Sequence, residues 1–376
     1  MKDRKTSDVE VSNSSATTSG AGGALTRRKL MGASVLGAGL LGASASPLGA
    51  QPKNSAQNHG VGRVIDSHIH LWVVPRSAPP MSDFSIFPSE LGVSVPYMDI
   101  DRLMPDYDAR VGGPKVDKVV LIEASVGVTP DHLIQSNLWL LQTAATEGKI
   151  LSVTGNLDVT QGTGGFVQQL DYLMSVSHKK LVGLRVGGLF VPGAPAAFVN
   201  LKPNVLNNFA IMVQRGLQID TLGTPGAVLA QIGAAVPGLV IVMDHFAGKP
   251  STFLVEDSWQ ADMQAAASYP GLNIKVSDVH KQSAFAATGQ PAGLVQFQPV
   301  SDPEPYAPHL EFLWRTFGED RLIFGTNWPV ADAGGAFVDS IDLQISILED
   351  FLADKYVSGR DKVMYQNALR VYGPRK

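Results

Sequence analysis

Val64-Ile65-Asp66-Ser67-His68-Ile69-His70-Leu71-Trp72 is the stretch whose reading decides the fold. Its apolar start and β-branched residues predict a strand over Val64–His70. Side chains two apart on a strand share a face, which sets Asp66, His68 and His70 on one side and Ile65, Ser67 and Ile69 on the other. Two imidazoles on one face, at the end of a strand, can bind a metal or polarise a carbonyl. An isolated His-x-His also arises from histidines that are merely hydrogen-bonded in a core, so the rest of the chain has to give the pair its context.

Seven more short apolar runs follow: Lys118–Ala124, Ile150–Asn156, Leu181–Val186, Leu217–Leu222, Leu239–His245, Leu272–Ser277 and Leu322–Thr326. Stretches with helical spacing separate them, among them Pro130–Glu147, Phe166–Val176, Val205–Arg215, Pro225–Val236, Trp259–Tyr269, Tyr306–Phe317 and Ile341–Leu352. Strand alternating with helix predicts βα units and a parallel sheet. Eight such units most simply close as a (β/α)8 TIM-type barrel. A doubly wound open sheet is the alternative, but no Gly-x-Gly-x-x-Gly follows the first strand. Two long intervals, 73–117 and 278–305, leave the C-terminal ends of strands, where barrel enzymes build their sites.

The chain has 376 residues, 44% hydrophobic and 17% charged, which is enough apolar content for a large core. Its net charge of −4, with no basic block beyond the N-terminus, argues against nucleic acid as a partner and for a small-molecule substrate. The absence of cysteine excludes disulfides and thiolate metal sites. Any metal must use nitrogen and oxygen ligands. Oligomeric state is not legible, and a homo-oligomer stays open.

Residues 1–50 read as an export segment rather than fold. A polar stretch leads to Thr26-Arg27-Arg28-Lys29-Leu30-Met31, a weakly apolar run to about Leu41, and the small-residue sites Ala43-Ser44-Ala45 and Leu48-Gly49-Ala50. A twin arginine before a Gly/Ala-rich segment resembles a Tat signal, which implies the Tat export machinery as partner and a periplasmic or secreted protein. The apolar run is short for a membrane span. Residues 51–61 read as a linker and 62–376 as one barrel.

Polar residues gather where the strands finish. These are His68 and His70, then Glu123 and Ser125, Arg185, Asp244 and His245, Asp278 and His280, and finally Asn327 before Trp328. Charges are costly to bury without partners, so polar groups at six strand ends, converging at one mouth, read as a site.

On Asp66-x-His68-x-His70, Gly183-Leu184-Arg185, Asp244-His245, Phe324-Gly325-Thr326-Asn327-Trp328-Pro329 and Asn367-Ala368-x-Arg370-x-Tyr372, the chain resembles the amidohydrolase superfamily. Within it, the nearest likeness is to the lactone-hydrolysing branch related to 2-pyrone-4,6-dicarboxylate lactonase and sugar lactonases. The resemblance spans about residues 62–374. It implies that His68, His70 and His245 polarise an ester carbonyl, with or without one divalent metal such as zinc held by those three. It also implies that Arg185 grips an anionic substrate group, as a guanidinium can do bidentately.

That family places an aspartate at the end of the eighth strand as general base, and here the position is Asn327. An amide cannot take a proton near neutral pH. Three readings follow. Another carboxylate, Asp278 with His280 beside it, has taken over the base; the enzyme isomerises or eliminates instead of hydrolysing; or the chain only binds its ligand. Losing the anionic ligand also implies a metal that is weakly held or absent. Asp244 reads as the weaker acid candidate, facing away from its neighbour His245 and supporting the barrel's outside. Glu123 reads as a metal ligand or as Arg185's partner. Ser125, His280, Trp72 and Trp328 complete the substrate-binding set, the two indoles by stacking on a ring. Asn137 reads as ordinary helix surface or core.

Overall fold

Eight parallel strands lie side by side in chain order in the computed structural model. The structure describes residues 63–73, 100–111, 116–124, 130–177, 179–186, 201–248, 252–282, 299–335 and 339–374. The proposed export segment, the linker and Ser125 lie outside the described residues. Contacts group Asn58–Lys376 into one compact unit that contains every described residue. Among the described residues no helix is long and apolar enough to cross a membrane.

The strands are β1 (Ile65–Ile69), β2 (Lys118–Ile122), β3 (Ile150–Gly155), β4 (Leu181–Val186), β5 (Gln218–Thr221), β6 (Ile241–Met243), β7 (Leu272–Val276) and β8 (Leu322–Phe324). All eight expected runs form strands, several of them a residue or two shorter at their ends. The barrel closes where the chain after β8 returns to β1. There the Asn327 N–H donates to the His68 carbonyl at 2.7 Å, and the His70 N–H donates to the Trp328 carbonyl at 2.8 Å.

Helices cover the outside: α1 (Met104–Arg110), α2 (Pro130–Thr146), α3 (Thr163–Ser177), α4 (Pro203–Gln214), α5 (Gly226–Ala235), α6 (Asp257–Ala267), α7 (Ala307–Phe317), α8 (Ser340–Ala353), α9 (Val357–Asp361) and α10 (Asn367–Tyr372). The larger apolar core lies between strands and helices, with Leu121, Val153, Leu184, Ile219, Ile241, Ile274 and Phe324 against Phe166, Phe209, Leu229, Leu313 and Ile347. A smaller cluster fills the barrel where the strands begin. Ile65, Val120, Leu151, Val182, Val242 and Ile323 pack there on Tyr365, Ala368 and Tyr372 of the C-terminal segment. Apolar groups therefore plug one end, and the polar inward-facing residues are left to the other.

Candidate active site

Inward positions are set by register. Arg185 pairs with Asp220, Asp220 with Val242, Val242 with Asn273, and Lys275 with Ile323, so these side chains share the barrel's inner face. Asp66 departs from the expected pattern. A register shift between Asp66 and Ile69 interrupts the alternation. The Asp66 carboxylate turns away from the histidines and accepts from Tyr107 Oη at 2.8 Å, Thr326 N at 2.8 Å and Thr326 Oγ1 at 2.6 Å. It ties β1 to α1 and to the chain after β8, and burial raises its pKa.

The expectation for Asp244 also needs correcting. It lies inside the barrel with no exposed surface, its Oδ2 3.2 Å from Arg185 Nε and its Oδ1 3.2 Å from Lys275 Nζ. The two-residue alternation ends because β6 stops at Met243. His245, Phe246 and Ala247 then take φ of 51°, 54° and 66°, left-handed values that swing His245 back toward the same centre. His68 and His245 rings accordingly stand 4.4 Å apart.

The histidines form a connected set. A neutral His70 carries one ring proton for two acceptors, with its Nδ1 2.8 Å from the Ile122 carbonyl and its Nε2 turned toward Asn327. That Nε2 lies 3.2 Å from His68 Nε2 and 2.9 Å from Asn327 Oδ1. His68 Nδ1 faces Lys275 Nζ at 3.2 Å and Asp244 Oδ1 at 3.3 Å. His245 Nδ1 bonds Ser277 Oγ at 2.7 Å. Burial, reinforced by the neighbouring Arg185, pushes His70 down to about 3. Burial followed by Lys275 holds His68 well below the usual imidazole range, and burial followed by His68 does the same to His245. All three rings are neutral near pH 7, as ligands or neutral hydrogen-bonding groups must be.

Asn327, at φ 64°, donates Nδ2 to Asp278 Oδ2 at 2.6 Å, and Asp278 sits at φ 58°. Lys281 Nζ holds the same oxygen at 2.6 Å. Asp278 Oδ1 is buried with no hydrogen-bond partner. His280, only two residues on, is fully buried, with Nε2 donating to the Ala331 carbonyl at 2.9 Å, and burial lowers it to about 4.

The remaining expected residues divide. Arg185 is 3% exposed, and besides Asp244 it reaches the Glu123 carbonyl at 3.4 Å. The Glu123 carboxylate accepts from Ser136 Oγ of α2 at 2.7 Å, on the helix side of the sheet. Both indoles are fully buried. Trp72 donates to the Ile100 carbonyl at 2.9 Å, and Trp328 packs edge-on against Tyr107, the rings 5.4 Å apart.

Lys275 and Asp220 have no place among the expected site residues, and Tyr372 enters only through the closing motif. Lys275 Nζ lies 2.7 Å from Asp220 Oδ2, which also accepts from Tyr372 Oη at 2.7 Å. Burial raises Asp220, whereas Lys275 and Arg185 outweigh burial at Asp244 and hold it below the ordinary carboxylate value. A signal was available: polar residues recur at every second position in Asn273-x-Lys275-x-Ser277 and Gln218-x-Asp220, against the rule that parallel strands are continuously apolar.

One set of three among the described residues suits a metal ion. The ligand atoms of His68, Asp244 and His245 lie within 4.8 Å of one another. Neutral imidazoles and a carboxylate fit a divalent cation in type. The fit is a weak one, because the Lys275 ammonium already lies against His68 Nδ1 and Asp244 Oδ1. His70 stands beside this set.

Comparisons with known proteins agree with this architecture. The family profile described as Amidohydrolase matches residues 65–373. A 130-residue stretch is 28% identical to the L-fucono-1,5-lactonase of Burkholderia ambifaria, covering 34% of this chain and 40% of that protein. An uncharacterized protein of Sinorhizobium fredii is 23% identical over 321 residues, 82% of this chain and 98% of its own length. Among solved structures, a zinc-bound amidohydrolase from Burkholderia multivorans superposes with a TM-score of 0.64 at 20% identity, covering 82% of this chain and 98% of that one. A probable 2-pyrone-4,6-dicarboxylic acid hydrolase from Acinetobacter baumannii, with citric acid bound, superposes with a TM-score of 0.54 at 16% identity and the same coverage.

Proposed function

The chain belongs to the amidohydrolase family, and on that footing we propose that it hydrolyses a small cyclic ester carrying hydroxyl or carboxylate groups. The observation that carries this reading is the Asp278–Asn327–His70 arrangement. The base that the family keeps at position 327 is replaced by an amide, and that amide presents a neighbouring carboxylate. Asp278 Oδ2 is fixed by Asn327 and Lys281, while Oδ1 keeps its lone pairs for the proton of an attacking water. His245, its Nδ1 held by Ser277, supplies an N–H donor to the carbonyl oxygen as charge builds on it, and its ring lies 4.4 Å from that of His68, which His70 fixes from the far side. Asn327 orients the water, and Arg185 borders the substrate.

A divalent ion held by His68, Asp244 and His245, with His70 adjacent, would add Lewis-acid polarisation of the same carbonyl. The enzyme works in the periplasm or outside the cell in this reading, which rests on the Arg27-Arg28 signal.

A screen of lactones run in isotopically labelled water tests the reaction. Hydrolysis puts one labelled oxygen into the carboxylate product. A product of unchanged mass makes the enzyme an isomerase. Ligand-induced thermal stabilisation with no turnover on any lactone makes it a binding protein.

A further inference from the structure

Asn156 is fully buried, and neither of its side-chain amide atoms has a hydrogen-bond partner. A desolvated amide left unmatched on both sides costs free energy, and such groups in native proteins mark a water, an ion or a ligand position. Its backbone, by contrast, is clamped. Asn137 of α2 accepts the Asn156 N–H at 2.9 Å and donates to the Asn156 carbonyl at 2.7 Å, with a further bond to the Leu133 carbonyl at 2.6 Å. Asn137 is thus no incidental helix residue, since it extends β3 by one peptide and fixes where the Asn156 side chain starts.

The direction follows from register. Gly155 faces α2, where a Cβ would run into Asn137 Oδ1. Thr154, on the opposite face, pairs with Ile122 and Gly183 in the inward set. Val153 and Leu157 lie in the outer core and Gly155 between them faces α2, so Asn156, like Thr154, takes the opposite, inward face just past the C-terminal end of β3, which is the mouth. Arg185 of β4 reaches the Glu123 carbonyl beyond β2, so its guanidinium crosses the end of β3, where Asn156 sits.

We propose that Asn156 is a substrate-binding residue that takes ring hydroxyls of the ester through both amide atoms. This rests on the lactone reading above. A hydroxyl both donates and accepts, and two neighbouring hydroxyls match an amide's Nδ2 and Oδ1 together, whereas a carboxylate leaves Oδ1 facing another acceptor. Charge points the same way. The cations Arg185, Lys275 and Lys281 already face the carboxylates of Asp244, Asp220 and Asp278. Beside Asn156, then, ring hydroxyls fit the described residues better than an anionic group does.

The test is calorimetric binding of a panel of stereoisomeric hexonates, the open-chain products of such lactones, beside hexanoate, which has the same chain length without hydroxyls. The wild-type protein is expected to bind at least one hexonate more tightly than hexanoate. Asn156→Ala weakens that hexonate roughly ten-fold, leaves hexanoate within about two-fold, and melts at the same or a higher temperature because an unmatched polar group is gone. Asn156→Ser, which keeps one hydroxyl, loses less and serves if the alanine variant folds poorly. Equal weakening of both ligands, or no preference for any hexonate, overturns the assignment. Discrimination without turnover on any lactone rejects the hydrolase reading and keeps Asn156. Turnover without discrimination does the reverse.

Discussion

Replacing Lys275 with methionine probes the polar centre of the barrel most directly. The Lys275 side chain is fully buried, 2.7 Å from Asp220 Oδ2 and 3.2 Å from Asp244 Oδ1, with the Tyr372 ring 4.8 Å from its Nζ. At an effective dielectric of about 20, each of these pairs is worth about 5–6 kcal/mol of Coulomb attraction. Relief of the ammonium's own desolvation cancels several kcal/mol of that, so the expected loss is about 3–5 kcal/mol. Methionine fills similar space, which keeps a cavity out of the comparison. Urea unfolding near pH 7 measures the deficit. Without the ammonium, Asp220 and Asp244 bind protons more readily in the folded state, so the deficit shrinks as pH falls toward about 5. Adding Asp220→Asn removes one stranded carboxylate, and the double variant is less destabilised than the two single losses combined. A deficit below about 1 kcal/mol, or one indifferent to pH, would falsify the claim that Lys275 holds the two carboxylates in place.

Other outcomes follow from the site. Asn327→Asp sets a second carboxylate against Asp278 Oδ2 and removes the 2.6 Å amide bond, so kcat on a lactone drops at least roughly ten-fold near pH 7 and partly recovers in mild acid, where the pair shares a proton; a gain in activity sinks the role given to Asp278. His245→Ala, by removing a donor at the carbonyl, lowers kcat by roughly a hundred-fold with little effect on KM, and an unchanged kcat excludes it from that task. Stability should fall in acid. With folded pKa values of about 3 for His70 and about 4 for His280, the unfolded chain takes up protons first once pH drops below about 6.5. Each of these two histidines then costs about 2 kcal/mol at about pH 5, visible as a lower urea midpoint than at pH 7. An unmoved midpoint contradicts their neutral burial.

Hydrophobic periodicity and the spacing of turn signals determined much of this protein by themselves. Eight βα units, the barrel they close, and the strand ends that carry His68, His70, Arg185, His245, Asp278 and Asn327 were all legible, because period-2 and period-3.6 patterns are local properties of the chain. Local alternation also marks where such reasoning stops. Asp66 left the histidine face at a register shift, and Asp244 and His245 converged because left-handed backbone follows Met243. The shift within β1 and the positive φ just past β6 both depend on how the chain packs at the barrel rim, which local alternation does not encode. Only the closed barrel decided that Lys275, Asp220 and Tyr372 stand beneath the histidines, that Asp278 reaches Asn327 across 49 positions, and that Asn137 fixes the peptide of Asn156. Those contacts join groups far apart in the chain, and their energies depend on a shared dry interior that exists only once all eight strands are in place.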